Sequence, residues 1–113
     1  DLFEAIAFGR LDRHELVVSP RTAVTVVCVS GGYPGEYAKG MEISGLGKPS
    51  DSIVFHAGTS AKGAKVLTAG GRVLAVTSFG DGIEQAAAAS YRTIETIDDQ
   101  GKYCRTDIGR DLL

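Results

Sequence analysis

The sequence predicts a small α+β fold built on antiparallel strands, and three features carry that expectation. Arg21 to Ser30 is a run rich in β-branched residues. Further short apolar runs follow, separated by glycine clusters, which is the pattern of strands joined by tight turns in an antiparallel sheet or a partly closed barrel. Near the C-terminal end the spacing changes to that of an amphipathic helix. At 113 residues and 43% hydrophobic content the chain has material for one core, and a single domain over 1–113 is expected.

Taken in order, Leu2, Phe3, Ile6 and Ala7 recur at helical spacing and Gly9 follows as a stop signal, so a short helix opens the chain. The opening lacks a Met and a signal-peptide pattern, and the chain is read as a piece of something longer. The 21–30 strand is apolar on both alternating faces, which predicts cover on both sides. Gly31-Gly32-Tyr33-Pro34-Gly35 is a dense turn cluster. Residues 43–47 fit a small strand or turn, and 48–51 a loop. Ser52 to His56 is a strand closed by Ala57-Gly58-Thr59, and 60–64 is expected to be an exposed hairpin loop. Val66-Leu67-Thr68 and Arg72 to Phe79 are expected to be the two strands around Ala69-Gly70-Gly71.

Asp81-Gly82-Ile83-Glu84 has the form of a capping box, in which Asp81 accepts from a first-turn amide and Glu84 reaches back. Ile83, Ala87, Tyr91, Ile94 and Ile97 then mark the best-defined helix, with Ala86 to Ala89 allowing close approach to the sheet. A strand and a helical turn are expected over 102–113.

Composition excludes several functions. Twelve Lys and Arg against fourteen Asp and Glu leave a formal charge of −2, against the basic surface that nucleic-acid binding needs. No apolar run approaches the roughly 20 residues of a membrane helix. Cys28 and Cys104 are too few for a disulfide scaffold; Cys28 reads as a free, buried thiol, and a reducing cytoplasm fits. The motifs for zinc ribbons, zinc proteases, serine hydrolases and P-loops are absent, and His14 and His56 lack ligand spacing.

The positive signals are glycine turns carrying a cation or a polar group. Gly70-Gly71-Arg72 has two readings. The glycines let backbone approach an anion while Arg72 offers a planar fork of donors, or they form a tight hairpin and the arginine stem packs over the sheet. Gly31 to Gly35 carries the same ambiguity. His56, Gly58 and Thr59 form a third polar corner that faces a substrate or simply ends a strand. Arg105 either reaches a ligand with Asp107 orienting it, or the two lock the chain end as a surface pair.

Four segments taken together carry more: Val29 to Gly35 with Lys39-Gly40, Val54 to Thr59, Thr68 to Leu74, and Tyr103 to Gly109. In this order and spacing the chain resembles the C-terminal domain of the phosphoribosylamine–glycine ligase (glycinamide ribonucleotide synthetase) family, over nearly its whole length. The resemblance implies a small antiparallel barrel-sandwich hybrid domain with a packed helix. It implies, for the full-length protein, an ATP-grasp carbon–nitrogen ligase of purine biosynthesis that joins glycine to 5-phosphoribosylamine. ATP and Mg2+ would bind upstream ATP-grasp domains of the same chain, and this piece alone would be inactive and contain no metal site. Its share would be a wall of the substrate cleft. Arg72 is the first candidate for the sugar phosphate, with Gly70 and Gly71 shaping the turn, then Arg105, then His56, Gly58 and Thr59. The family often has a basic residue where Thr106 stands, so this segment would be a weaker cationic clamp. The alternative is a non-catalytic phosphate-binding or interdomain packing module.

Overall fold

A computed structural model describes residues 1–113. The order is helix α1 (Leu2–Ala7), a 3-10 turn (Leu11–Arg13), strands β1 (Thr22–Val29), β2 (Ile53–His56), β3 (Thr59–Lys62), β4 (Lys65–Thr68) and β5 (Arg72–Gly80), helix α2 (Ile83–Thr96), and a second 3-10 turn (Arg110–Leu112). The strands form two antiparallel sheets, one ordered β1-β5-β2 and the other the β3-β4 hairpin. This is the mixed antiparallel fold that the turn pattern predicts.

Asp1 caps α1 by accepting from Phe3 N at 2.9 Å. The helix packs chiefly on the following 3-10 turn and leaves Phe3, Ile6 and Phe8 exposed. Leu16, Val17 and Val18 are exposed as well, so the first 18 residues form an arm beside the sheets. The radius of gyration of 16.7 Å reflects that arm; a folded chain of about 100 residues without one measures roughly 13 Å.

The core lies between one face of the three-stranded sheet and α2. Val24, Val26 and Cys28 of β1 and Leu74 and Val76 of β5 face Ala86, Ala87 and Ile94, with Ile43 and Ile97 closing the edges. Ala86 and Ala87 have no bulk, so the helix sits low on the sheet. Burial of Leu74, Val26 and Val76 contributes about 1.5–3 kcal/mol each. A chain of hydroxyls crosses the same interface. Ser52 Oγ bonds Thr93 Oγ1 at 2.7 Å and Ser78 Oγ at 2.6 Å, and Ser78 Oγ bonds Ser90 Oγ at 2.8 Å. Ser90 also donates to the Val24 carbonyl at 3.0 Å. No buried side-chain nitrogen or oxygen lacks a partner.

Four sequence expectations need correction. First, the sheet is covered on one side only. Ala23, Thr25 and Val27 alternate with the core residues of β1 and are exposed, and Ile53, Phe55 and Phe79 join them on an open face. Arg21 lies 4.5 Å above the Phe79 ring, and Thr25 and Thr77 bond each other at 2.8 Å across the strands. Second, β4 and β5 are not a hairpin. β4 pairs with β3, and Ala69-Gly70-Gly71 is a crossing between the two sheets. Third, the supposed loop at 60–64 is mostly strand β3, with the turn confined to Gly63-Ala64. Its polar, exposed side chains hid a strand that needs only one neighbour. Fourth, α2 is capped differently. Gly82 is the N-cap without a side-chain bond, and Gln85 Oε1, not Glu84, accepts from Asp81 N at 2.7 Å.

Where a small strand or turn was expected over 43–47, isolated bridges join Glu42 to Leu67 and Ser44 to Asp98, and a turn follows at Leu46-Gly47. Lys102 closes the far end of α2 by donating from Nζ to the carbonyls of Ile94 (2.8 Å) and Ile97.

Candidate functional site

Arg72 opens β5 opposite Val29, at the point where the β1–β5 register slips between Cys28 and Val29. Such a bulge re-aims the side chains beside it. The crossing before Arg72 is held from β1: Ser30 N donates to the Gly71 carbonyl at 2.8 Å, and Ser30 Oγ to that of Gly70 at 2.9 Å. The glycines have packing reasons that spacing did not disclose. A Cβ on Gly58 would meet the Arg72 carbonyl oxygen and lie 2.9 Å from Gly70 Cα, so the two chains touch backbone to backbone. A Cβ on Gly71 would fall on Cδ2 and Cε2 of Tyr33. That ring lies directly on the crossing, with Tyr37 edge-on at 6.0 Å.

Two adjoining cavities result. One, of about 270 Å³, is lined by Val27, Val29, Tyr33, Arg72, Tyr103 and Arg105 among others; the second, of about 580 Å³, by Val27, Tyr33, Ala57, Gly71, Arg72 and Ala75. No carboxylate lines either one. Arg72 and Tyr33 belong to both, and Arg72 has no ion-pair partner within the chain. The guanidinium is available to an incoming anion.

Arg105 reaches the smaller cavity from the other side. Its Nε and a terminal nitrogen donate to the two carboxylate oxygens of Asp107 at 2.8 and 2.7 Å. Those bonds raise the Arg105 pKa, and Arg105 holds Asp107 below its ordinary 3.8. The segment is tied to α2 through Tyr91, whose hydroxyl donates to the Arg105 carbonyl at 2.8 Å and accepts from Ile108 N at 3.2 Å. The structure shows the exposed surface pair, in which Asp107 holds the Arg105 guanidinium in place.

Arg72 and Arg105 are thus brought to one cavity, with Gly71 in the adjoining one and Gly70 behind it. The third group is not. His56 Nδ1 and Thr59 Oγ1 lie 2.9 Å apart at the β2–β3 corner, and neither they nor Gly58 line these cavities. Tyr33, Tyr103 and Ala57 were not among the predicted site residues. For Tyr33 a signal existed in the aromatic inside the glycine cluster; for Tyr103, only its pairing with Val29 brings it in. The chain contains no cluster of three or more His, Cys, Asp or Glu suited to a metal ion, and no helix long and apolar enough to cross a membrane.

Fold and site together define a class: a helix-backed antiparallel domain with an arginine-lined cavity at the edge of its sheet. Residues 23–111 match the family model described as phosphoribosylglycinamide synthetase, C domain, and the chain belongs to that family. It is 54% identical to the phosphoribosylamine–glycine ligase of a Synechocystis species over 80% of this chain and 22% of the relative. To the enzyme of the same name from Caldanaerobacter subterraneus it is 44% identical over 96% of this chain and 26% of the relative. The crystal structure of phosphoribosylamine–glycine ligase from Thermotoga maritima superposes with a TM-score of 0.74 at 34% identity, covering 93% of this chain and 27% of that one. The chain spans about a quarter of the length of these relatives.

Proposed function

We propose that this chain works as the C-terminal domain of a cytoplasmic ATP-dependent ligase that joins glycine to 5-phosphoribosylamine, and that Arg72 receives the sugar phosphate there. The observation that carries the reading is an arginine without an internal carboxylate partner, lining two adjoining cavities and sharing the smaller one with a second arginine. A guanidinium donates two parallel bonds to a phosphate, and both strengthen where carboxylates are absent. Arg105, already oriented by Asp107, would contribute from the opposite wall. Tyr33 and Val27 line one side with apolar surface.

ATP and Mg2+ belong, in this reading, to the rest of the ligase. The cavity residues here offer no carboxylate to a divalent ion, so no step through the metal is assigned to them. These residues bind and orient; they do not transfer the phosphoryl group. The open face with Ile53, Phe55 and Phe79 supports a second role, packing against the upstream ATP-grasp domains.

The test is Arg72→Ala in the full-length ligase. Loss of a charge-assisted contact costs about 1.5–3 kcal/mol, which is roughly a 10- to 150-fold fall in kcat/KM for phosphoribosylamine. The KM values for ATP and glycine should stay near wild type. Unchanged kinetics with phosphoribosylamine would remove Arg72 from the site; parallel losses for all three substrates would favour the packing role.

A further inference from the structure

Two thiols meet under the arginine cavity, and the substrate reading uses neither. Val29 and Tyr103 form an antiparallel bridge and exchange both backbone bonds, Val29 N to Tyr103 O at 2.8 Å and Tyr103 N to Val29 O at 3.0 Å. The bridge is isolated, but one step beyond it the antiparallel direction sets Cys28 opposite Cys104, at a position of the non-hydrogen-bonded kind, and the two thiols are in hydrogen-bonding contact. Such pairs place Cα atoms about 4.5 Å apart with side chains on one face. A disulfide spans Cα separations of roughly 4.4–6.8 Å. Both cysteines are free. Cys28 belongs to the core and Cys104 packs against it, while Cys104 also lines the smaller cavity with Arg72 and Arg105.

We propose that Cys28 and Cys104 form a dithiol site that takes a small-molecule disulfide, such as oxidised glutathione, and closes into a cross-strand bond. The inference does not depend on which ligand Arg72 receives.

The two thiols have different parts. Burial holds the Cys28 thiol up at about 11, with the neighbouring Cys104 adding to the rise. Cys28 is 2% exposed, whereas Cys104 is half-buried at the cavity wall. Cys104 is therefore the attacking sulfur. Its thiolate attacks one sulfur of the small disulfide, that S–S bond breaks, and one thiolate leaves and takes up a proton. Cys28 then loses its proton to solvent and attacks the Cys104 sulfur of the mixed disulfide, expelling the second thiolate, which is protonated in turn. The two protein thiols are oxidised by two electrons, and the small disulfide is reduced to two thiols. The new bond fastens the segment that carries Arg105 to β1, the strand that pairs with Arg72's own strand β5.

The experiment exposes the reduced 113-residue chain to oxidised glutathione under native conditions, quenches in acid, alkylates remaining thiols and reads the intact mass. The expected wild-type product is two hydrogens lighter, takes no alkyl group and yields a linked Cys28–Cys104 peptide. C28S should stop at a glutathione adduct on Cys104. C104S should remain unmodified, because Cys28 is out of reach. The closed form should melt about 10 °C or more above the reduced form, and C28S should not gain that shift. The proposal is overturned if folded wild type, checked by circular dichroism, stops at the Cys104 adduct. It is equally overturned if closure occurs only with loss of the folded spectrum, or if C104S is modified as fast as C28S.

Discussion

Replacing Gly71 by alanine tests whether the Tyr33 ring is what shapes the crossing ahead of Arg72. Gly71 does not have a positive φ, so an alanine there meets no intrinsic backbone penalty. Its whole cost comes from the new methyl, which would overlap Tyr33 Cδ2 and Cε2 and stand 3.1 Å from Cγ. Tyr33 is 39% exposed and can swing outward, giving up its contact with the crossing. Overpacking of this kind costs about 1–3 kcal/mol. Gly58→Ala differs, because its methyl meets the Arg72 carbonyl oxygen and the Gly70 backbone, which cannot rotate away. It should cost more. The decisive measurement is a double-mutant cycle by urea unfolding with Gly71→Ala, Tyr33→Ala and the pair. With the ring gone, Gly71→Ala should cost little further, giving a coupling energy close to the single Gly71→Ala penalty, while Gly58→Ala should show no such rescue. Additive Gly71 and Tyr33 penalties would refute the steric argument.

Three further outcomes follow from the geometry. Ser78→Ala removes the middle of the buried hydroxyl chain and leaves Ser52 and Ser90 each short of a partner; it should destabilise by about 1–3 kcal/mol, read as a lower urea midpoint. Cys28 favours the neutral thiol in the fold, so the stability it carries is intact below its ordinary 9.0 and is lost as pH rises toward about 11. The loss approaches about 1.4 kcal/mol per pH unit, and Cys28→Val should flatten the unfolding midpoint across that window under reducing conditions. Asp107 is depressed by Arg105, so the pair persists above 3.8 and releases only as pH falls through the lower native value; a carboxyl-carbon NMR titration should place the midpoint below 3.8, and Arg105→Ala should return it to the ordinary range.

What could be read from the sequence was what local pattern determines. The β-branched run at 22–29, the alternation at 72–80 and the alanine-lined helix each announce themselves over eight or more residues. β3 does not, since Thr59-Ser60-Ala61-Lys62 has no apolar face and becomes a strand only by pairing with Lys65 to Thr68. Apolar residues on both faces of β1 suggested cover on both sides; the outer set instead stays on an open face. At the site, Arg72 and Arg105 were legible as cations beside turns. That they line one cavity was not, because it depends on the bridge between Val29 and Tyr103. The paired glycines suggested anion contact, whereas their nearest neighbours are an aromatic ring and another stretch of backbone.

The hydroxyl chain between sheet and helix has a consequence for the cleft on the opposite side. Sliding α2 by one position would present Ala89 and Arg92, or Tyr91 and Ile94, where Ser90 and Thr93 now stand. Either slip takes the helix partners from the Ser52 and Ser78 hydroxyls and leaves them only each other, at about 0.5–1.5 kcal/mol per bond lost. Methyl-on-methyl packing alone would discriminate far less between such seatings. The serines therefore act as a key that admits the helix in one position, and that position is also the one that delivers the Tyr91 hydroxyl to the Arg105 carbonyl. The aim of the second arginine is indexed by polar teeth on the far side of the helix.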